Sequence, residues 1–138
     1  MKEAIKKITK KLKEIDINYE LSDDNTGVII SLYNEKTDLS VRYLISLNEF
    51  NDGSFGLTIF TSDILKVKNE IEVLKTLNQI NWNNNFIYYF ISEEKKVHMK
   101  ANSFETIDNV AQDSLSLIRE INNCLEIDYE KIMKSNWS

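Results

Sequence analysis

Proline is absent from this chain and glycine occurs three times. Linkers draw heavily on those residues, so no internal domain boundary suggests itself, and 138 residues suffice for one domain, 1–138, with its own core. Histidine and cysteine occur once each, as His98 and Cys124. A metal centre or a catalytic triad needs several such side chains together. His98 lies opposite the apolar side chains Val97, Met99 and Ala101 of an alternating stretch and reads as a surface or interface residue. Cys124 falls within an apolar helical stripe and reads as core packing. A cysteine without a partner fits a reducing compartment. With no apolar signal core behind the charged N-terminus, the expected location is cytoplasmic. No apolar run approaches the ~20 residues that a membrane span requires, so no membrane partner is expected.

Also missing are a glycine-rich phosphate loop and a Gly-x-Ser-x-Gly elbow. Asp23-Asp24 and Glu93-Glu94 pair carboxylates, but both pairs fall in turn segments, whereas acid–base chemistry needs a partly buried cleft. A calcium loop starting at Asp23 fails as well. Its twelfth position is Asn34, where a bidentate Glu belongs, and Gly27 occupies a ligand position. No catalytic residue, metal or cofactor is expected.

Charge is present but unevenly spread. The net charge is −5, yet residues 1–13 hold six Lys and one Glu, leaving 11 basic and 21 acidic side chains in the remainder. An acidic body argues against a nucleic-acid partner, and the basic segment reads as the solvated face of a helix. The aromatic residues Phe86, Tyr88, Tyr89 and Phe90 have no Lys or Arg between them, so they read as core and not as a base-stacking platform.

The pattern along the chain is clear in most places. Ile5, Ile8, Leu12 and Ile15 predict an amphipathic helix ending near Asp16. Alternation predicts strands over 17–21, 28–33, 39–47 and 55–60, separated by turn clusters at 22–27, 34–38 and the Asp-Gly of 51–53. Asn69 with Glu72 starts a second helix, with Ile71, Leu74, Leu77 and Ile80 as its stripe. Asn81-Trp82-Asn83-Asn84-Asn85 stops that helix, since Asn tolerates the left-handed conformation. Phe86–Ile91 and Val97–Ala101 form two strands around a polar turn. Ser103 or Thr106 caps a long last helix, from Ile107 to Leu125, whose pattern loosens at Glu126–Asp128 before a short helical piece and a frayed end. The whole is an α+β fold, an antiparallel sheet with helices packed on it, in the order α-β-β-β(-β)-α-β-β-α.

Leu77-Asn78-Gln79-Ile80-Asn81 ending a helix, followed by the aromatic strand Phe86–Ile91, an acidic turn and the strand Val97–Ala101, resembles the YbjN-like family, a relative of the type III secretion chaperone-like fold. Asn78 and Asn81 match that family's paired asparagines, and their expected role is helix termination and backbone hydrogen bonding. The resemblance implies a non-enzymatic protein-binding module, chaperone-like or regulatory, often a homodimer. A second reading, from the acidic body, is a small immunity or inhibitor protein that blocks a basic site on a toxin or nuclease. An enzyme working through turn carboxylates is the third.

The run Phe86–Ile91 carries one further expectation. Phe86, Tyr88 and Phe90 face one way, Ile87, Tyr89 and Ile91 the other, and both sets are apolar. A central strand is expected, with the first and last helices over one face and the second helix, or another copy of the chain, over the other. The interface residues expected from this are Phe86, Ile87, Tyr88, Tyr89 and Phe90.

Overall fold

Every helix of this protein buries its stripe against the same side of one sheet. In the computed structural model, which describes residues 1–84 and 86–138, the elements are α1 (Lys2–Glu14), β1 (Glu20–Leu21), β2 (Gly27–Asn34), β3 (Leu39–Glu49), β4 (Phe55–Thr61), β5 (Leu65–Lys66), α2 (Glu70–Trp82), β6 (Ile87–Ile91), β7 (Lys96–Glu105) and α3 (Val110–Asn136). The seven strands pair antiparallel throughout. This is the α+β architecture that the periodicities predict. No helix is long and apolar enough to cross a membrane among the described residues.

The strand order runs β1-β2-β3-β4-β7, with β5 and β6 completing the sheet on either side of β7. Ala101 pairs with Ile59 of β4 and with Ile87 of β6, so those two strands flank β7. Val97 pairs with Leu65 of β5 and Ile91 of β6, which puts β5 on the β4 side. Thr61 marks the break between β4 and β5: Met99 N–H donates to its Oγ1 at 2.8 Å, so a side chain replaces a lost rung. Strand β6 therefore lies at the edge of the sheet, not at its centre. Pairing partners are set by the chain's path, which alternation does not encode.

Alternation decides the two faces. Val41, Tyr43, Ile45 and Leu47 of β3, Leu57 and Ile59 of β4, and Val97, Met99 and Ala101 of β7 are buried on the inner face. Helix α3 lies between α1 and α2, over β4 and β7, while α1 covers β2 and α2 covers β6. Ile118, Ile121, Leu125 and Ile132 form its buried stripe. The expected split of helices between two faces does not occur. Among the described residues, no helix lies on the outer face of the sheet.

Several boundaries differ from expectation for local reasons. The first strand shrinks to Glu20–Leu21, while Ile17 and Tyr19 pack against the core from the loop. The stripe of α2 is Val73, Leu77 and Ile80, and Ile71 and Leu74 are exposed. The cap on Asn69 forms, with Glu72 N–H donating to its side chain at 3.4 Å. The C-cap of α2, Asn83, is not left-handed, with φ −93°; Asn85 lies outside the described residues. Left-handed backbone occurs instead at Asp16, Asn25, Asp38, Lys95 and Gly53, in the turns. Strand β7 runs on to Glu105, so Ser103 is a strand residue, and α3 starts after Asn109.

Helix α3 is continuous to Asn136 and does not fray. Asp128, where the pattern loosens, faces inward and accepts a hydrogen bond from Tyr89 Oη at 3.1 Å. Asn136 Oδ1 accepts from Lys68 N–H at 2.7 Å and Asn69 N–H at 3.2 Å, and its Nδ2 donates to the Lys66 carbonyl at 2.9 Å. The end of the chain thereby fastens the link between β5 and α2.

Asn81 works in the same way on the sheet edge. Its Nδ2 donates to the Tyr89 carbonyl at 2.9 Å and its Oδ1 accepts from Tyr89 N–H at 2.8 Å. A side-chain amide thus stands in for the neighbour strand that β6 lacks, which blunts an edge open to strand addition. Asn81→Ala should destabilise the fold by about 1–3 kcal/mol, and Asn81→Asp, which keeps the acceptor but sets a carboxylate oxygen against the Tyr89 carbonyl, by at least as much. Urea unfolding of the three proteins measures this, and equal midpoints for all three would show that the amide contributes nothing.

Candidate functional site

With the inner positions consumed by the helices, the outward positions of the same strands are what the sheet offers to solvent. Registers across β6, β7, β4, β3 and β2 align Tyr88, Lys100, Phe60, Leu44 and Ile29 in one row. Lys100 Nζ lies 5.1 Å from the centre of the Phe60 ring and 5.9 Å from that of Tyr88, within reach of both π faces. In the next row, Phe90 stacks on His98 with centroids 5.3 Å apart. His98 Nδ1 is 3.1 Å from the Thr61 carbonyl oxygen, and Nε2 is 3.4 Å from Asp63 Oδ1. The ring is held on both sides. Among the described residues no group of three or more metal-ligating side chains occurs.

At one end of this face the rows open into an apolar groove of about 590 Å³, lined by Phe50, Gly56, Thr58, Phe86, Asn102 and Phe104, among others. Gly56 supplies its floor. A Cβ there would sit 3.1 Å from Cζ of Phe50, so the missing side chain is what lets Phe50 fold across the sheet end. Phe50 packs against Phe104 with centroids 6.0 Å apart. Phe86 is 66% exposed and Phe104 83% exposed, both unusual for large aromatic residues.

The residues expected from the Phe86–Ile91 run therefore separate. Phe86, Tyr88 and Phe90 face outward, on or beside this face. Ile87 and Tyr89 face α2 and α3; Tyr89 is 2% exposed, and burial with the Asp128 carboxylate beside it pushes its hydroxyl well above the ordinary tyrosine range. Neither can meet a partner in this fold. Asn81 is on the β6 edge, and Asn78 is exposed beside a cleft between α2 and α3 that is also lined by Trp82, Cys124, Ile127 and Asp128. Burial, then Asp128 and Glu120, push the Cys124 thiol up, as befits an inert packing residue.

Sequence reasoning missed Lys100, Phe104 and Phe50 as members of the face. The rejection of an aromatic platform rested on the absence of cations within the run itself. The neighbouring strand supplies one, and only the β6–β7 register reveals it. The signal available beforehand was weak: Phe60, Phe104 and Tyr88 occupy positions of their strands opposite the buried set.

Beside the groove, Ser103 Oγ donates to Glu105 Oε1 at 2.7 Å, and Glu105 is 7% exposed at the end of β7. Burial, together with the Asp113 carboxyl beside it, raises the Glu105 pKa from 4.5 to about 7. The fold therefore favours protonated Glu105. Its contribution to stability is complete below pH 4.5 and is lost as pH rises through about 7. Thermal unfolding should give a higher midpoint at pH 5 than at pH 8, with about 1–3 kcal/mol of the difference removed in Glu105→Gln. An unchanged pH profile in that variant would assign the dependence to other groups.

Comparison with protein-family models gives no match for this chain, and comparison with curated proteins gives none.

Proposed function

We propose that this chain is a non-enzymatic protein-binding module, chaperone-like or regulatory, that works through the outer face of its sheet. One observation carries the reading. All three helices share the inner face, and the aromatic outer face with its end groove is left without cover. Exposed aromatic side chains gathered around a groove, as Phe50, Phe86 and Phe104 are here, are characteristic of interaction sites. The element order agrees with the YbjN-like resemblance. The cytoplasm remains the proposed place of action, on the strength of the unpaired Cys124.

The immunity or inhibitor reading draws less support. Outward strand positions carry Arg42, Lys66, Lys96 and Lys100 against Glu20, with Asp63 beside Lys96, so this face holds a small excess of positive charge within an acidic molecule and does not complement a basic target.

A capture experiment tests the main reading. Tagged wild-type chain, a Phe86→Ser/Phe104→Ser variant and an Ile15→Ser/Leu21→Ser control are cross-linked in their own cells and analysed by mass spectrometry. All four side chains are exposed, so each variant should keep its melting temperature. The same protein partner should appear with wild type and the control and be lost from the sheet-face variant. Equal recovery by all three would remove the outer face as the contact.

A homodimer is the second part of the proposal. The exposed side of α2 presents Ile71, Leu74 and Trp82, and Ile127 of α3 stands across the neighbouring cleft. Trp82 is 89% exposed. These side chains suit an isologous contact with a second copy. Light scattering over a hundredfold dilution should show a mass falling from dimer towards monomer, and Trp82→Ser should shift that transition to higher concentration. A monomer mass throughout the series would end this part of the proposal.

A further inference from the structure

The geometry points to an extended peptide carrying one carboxylate, an Asp or Glu two positions from an apolar side chain, as the ligand of the outer face: the carboxylate pairs with Lys100 and the apolar side chain fills the neighbouring groove. This deepens the protein-binding reading and rests on it.

The first observation is an unanswered charge. Lys100 is half-buried near the middle of β7, and among the described residues no carboxylate lies within ion-pair distance of its Nζ. The other cations of the face differ. Lys96 Nζ lies 2.8 Å from Asp63 Oδ2, Arg42 lies 3.9 Å from Glu20, and Lys66 is exposed at the far end of the strand. Lys100 is flanked by aromatic rings, which hold the ammonium but do not neutralise it. A partly desolvated cation of this kind gains most from a charge-assisted hydrogen bond to an anion.

The second observation is spacing. Asn102, two residues along β7 from Lys100, lines the groove, as does Phe86, two residues along β6 from Tyr88. Same-face side chains two residues apart in an extended chain are separated by roughly 6.5–7 Å. A peptide lying along β7 therefore sets one side chain over Lys100 and the next on the same face over the groove. The groove, walled by Phe50, Phe86 and Phe104, selects an apolar or aromatic residue.

Single-stranded nucleic acid also combines π faces with negative charge. It is disfavoured here by number. Each nucleotide brings a charge, whereas the face offers one half-buried cation without a partner, in a chain of net charge −5.

The test uses an N-acetylated, C-amidated octapeptide library selected on immobilised full-length protein, with Lys100→Met and Lys100→Arg alongside. Methionine keeps the packing of the stem without the charge, and arginine keeps the charge. Wild type should enrich peptides with an acid two positions from Phe, Leu or Trp. Replacing that acid by its amide should weaken binding about tenfold, Lys100→Met should lose the same factor, and Lys100→Arg should recover most of it. Apolar enrichment without an acid, or equal affinity for wild type and Lys100→Met, overturns the inference and leaves the binding-module reading in place. Failure of wild type to enrich any peptide overturns both. Tighter binding of a short oligothymidylate than of the selected peptide overturns the inference in favour of nucleic acid.

Discussion

Burial of the inner sheet face beneath α3 is the interaction on which the rest of the structure depends. Ile118, Ile121, Leu125 and Ile132 descend onto β4 and β7, whose Leu57, Ile59, Val97, Met99 and Ala101 are shut off from water. Each large side chain buried in this way stabilises the fold by roughly 1.5–3 kcal/mol. Helices α1 and α2 lie on either side of α3 and have no other surface to cover. Because one central helix claims the middle of the sheet, all helical cover falls on one side. The binding face is a consequence of that arrangement, since it consists of the alternate positions of the same strands.

The polar fastenings follow a second common theme. In a chain without proline and with three glycines, Asn and Asp take over the work of turns and locks. Left-handed turns use Asp16, Asn25 and Asp38. Asn136 holds the β5–α2 link, and Asn81 holds the β6 edge. Asn34, at the end of β2, donates to Asn122 Oδ1 at 2.8 Å and to Glu126 Oε1 at 3.2 Å, tying a turn of the sheet to α3. Each amide both donates and accepts, so it can satisfy a backbone N–H and a C=O that secondary structure leaves open. The interior is less complete at Tyr43. Its buried hydroxyl has no partner among the described residues, and its pKa is pushed up to about 12 by burial and then by Glu126.

Electrostatics set the outer face apart from the rest of the molecule. The body is acidic, and the N-terminal helix region holds a strongly basic stretch, six Lys against one Glu over residues 1–13. The sheet nevertheless gathers Arg42, Lys66, Lys96 and Lys100 onto one surface, because these residues share the outward phase of β3, β5 and β7. Charge summed along the chain conceals such a patch. Complementarity between opposed surfaces, and not net charge, governs which partner is recognised.

Much of the fold was legible in the residues alone. Ile5, Ile8 and Leu12 determined a helix, the alternation from Leu39 to Leu47 determined a half-buried strand, and Asn69 with Glu72 determined where α2 begins. These are local signals, set by periodicity and by side chains that reach their own backbone. Tertiary structure alone decided which strands are neighbours. It made β6 an edge strand, divided Phe86–Ile91 between two environments, withdrew Ile87 and Tyr89 from the surface, and placed Lys100 between Phe60 and Tyr88. The physical reason is that register and pairing depend on residues far apart in the chain, and a period-two pattern looks the same whichever strand lies beside it.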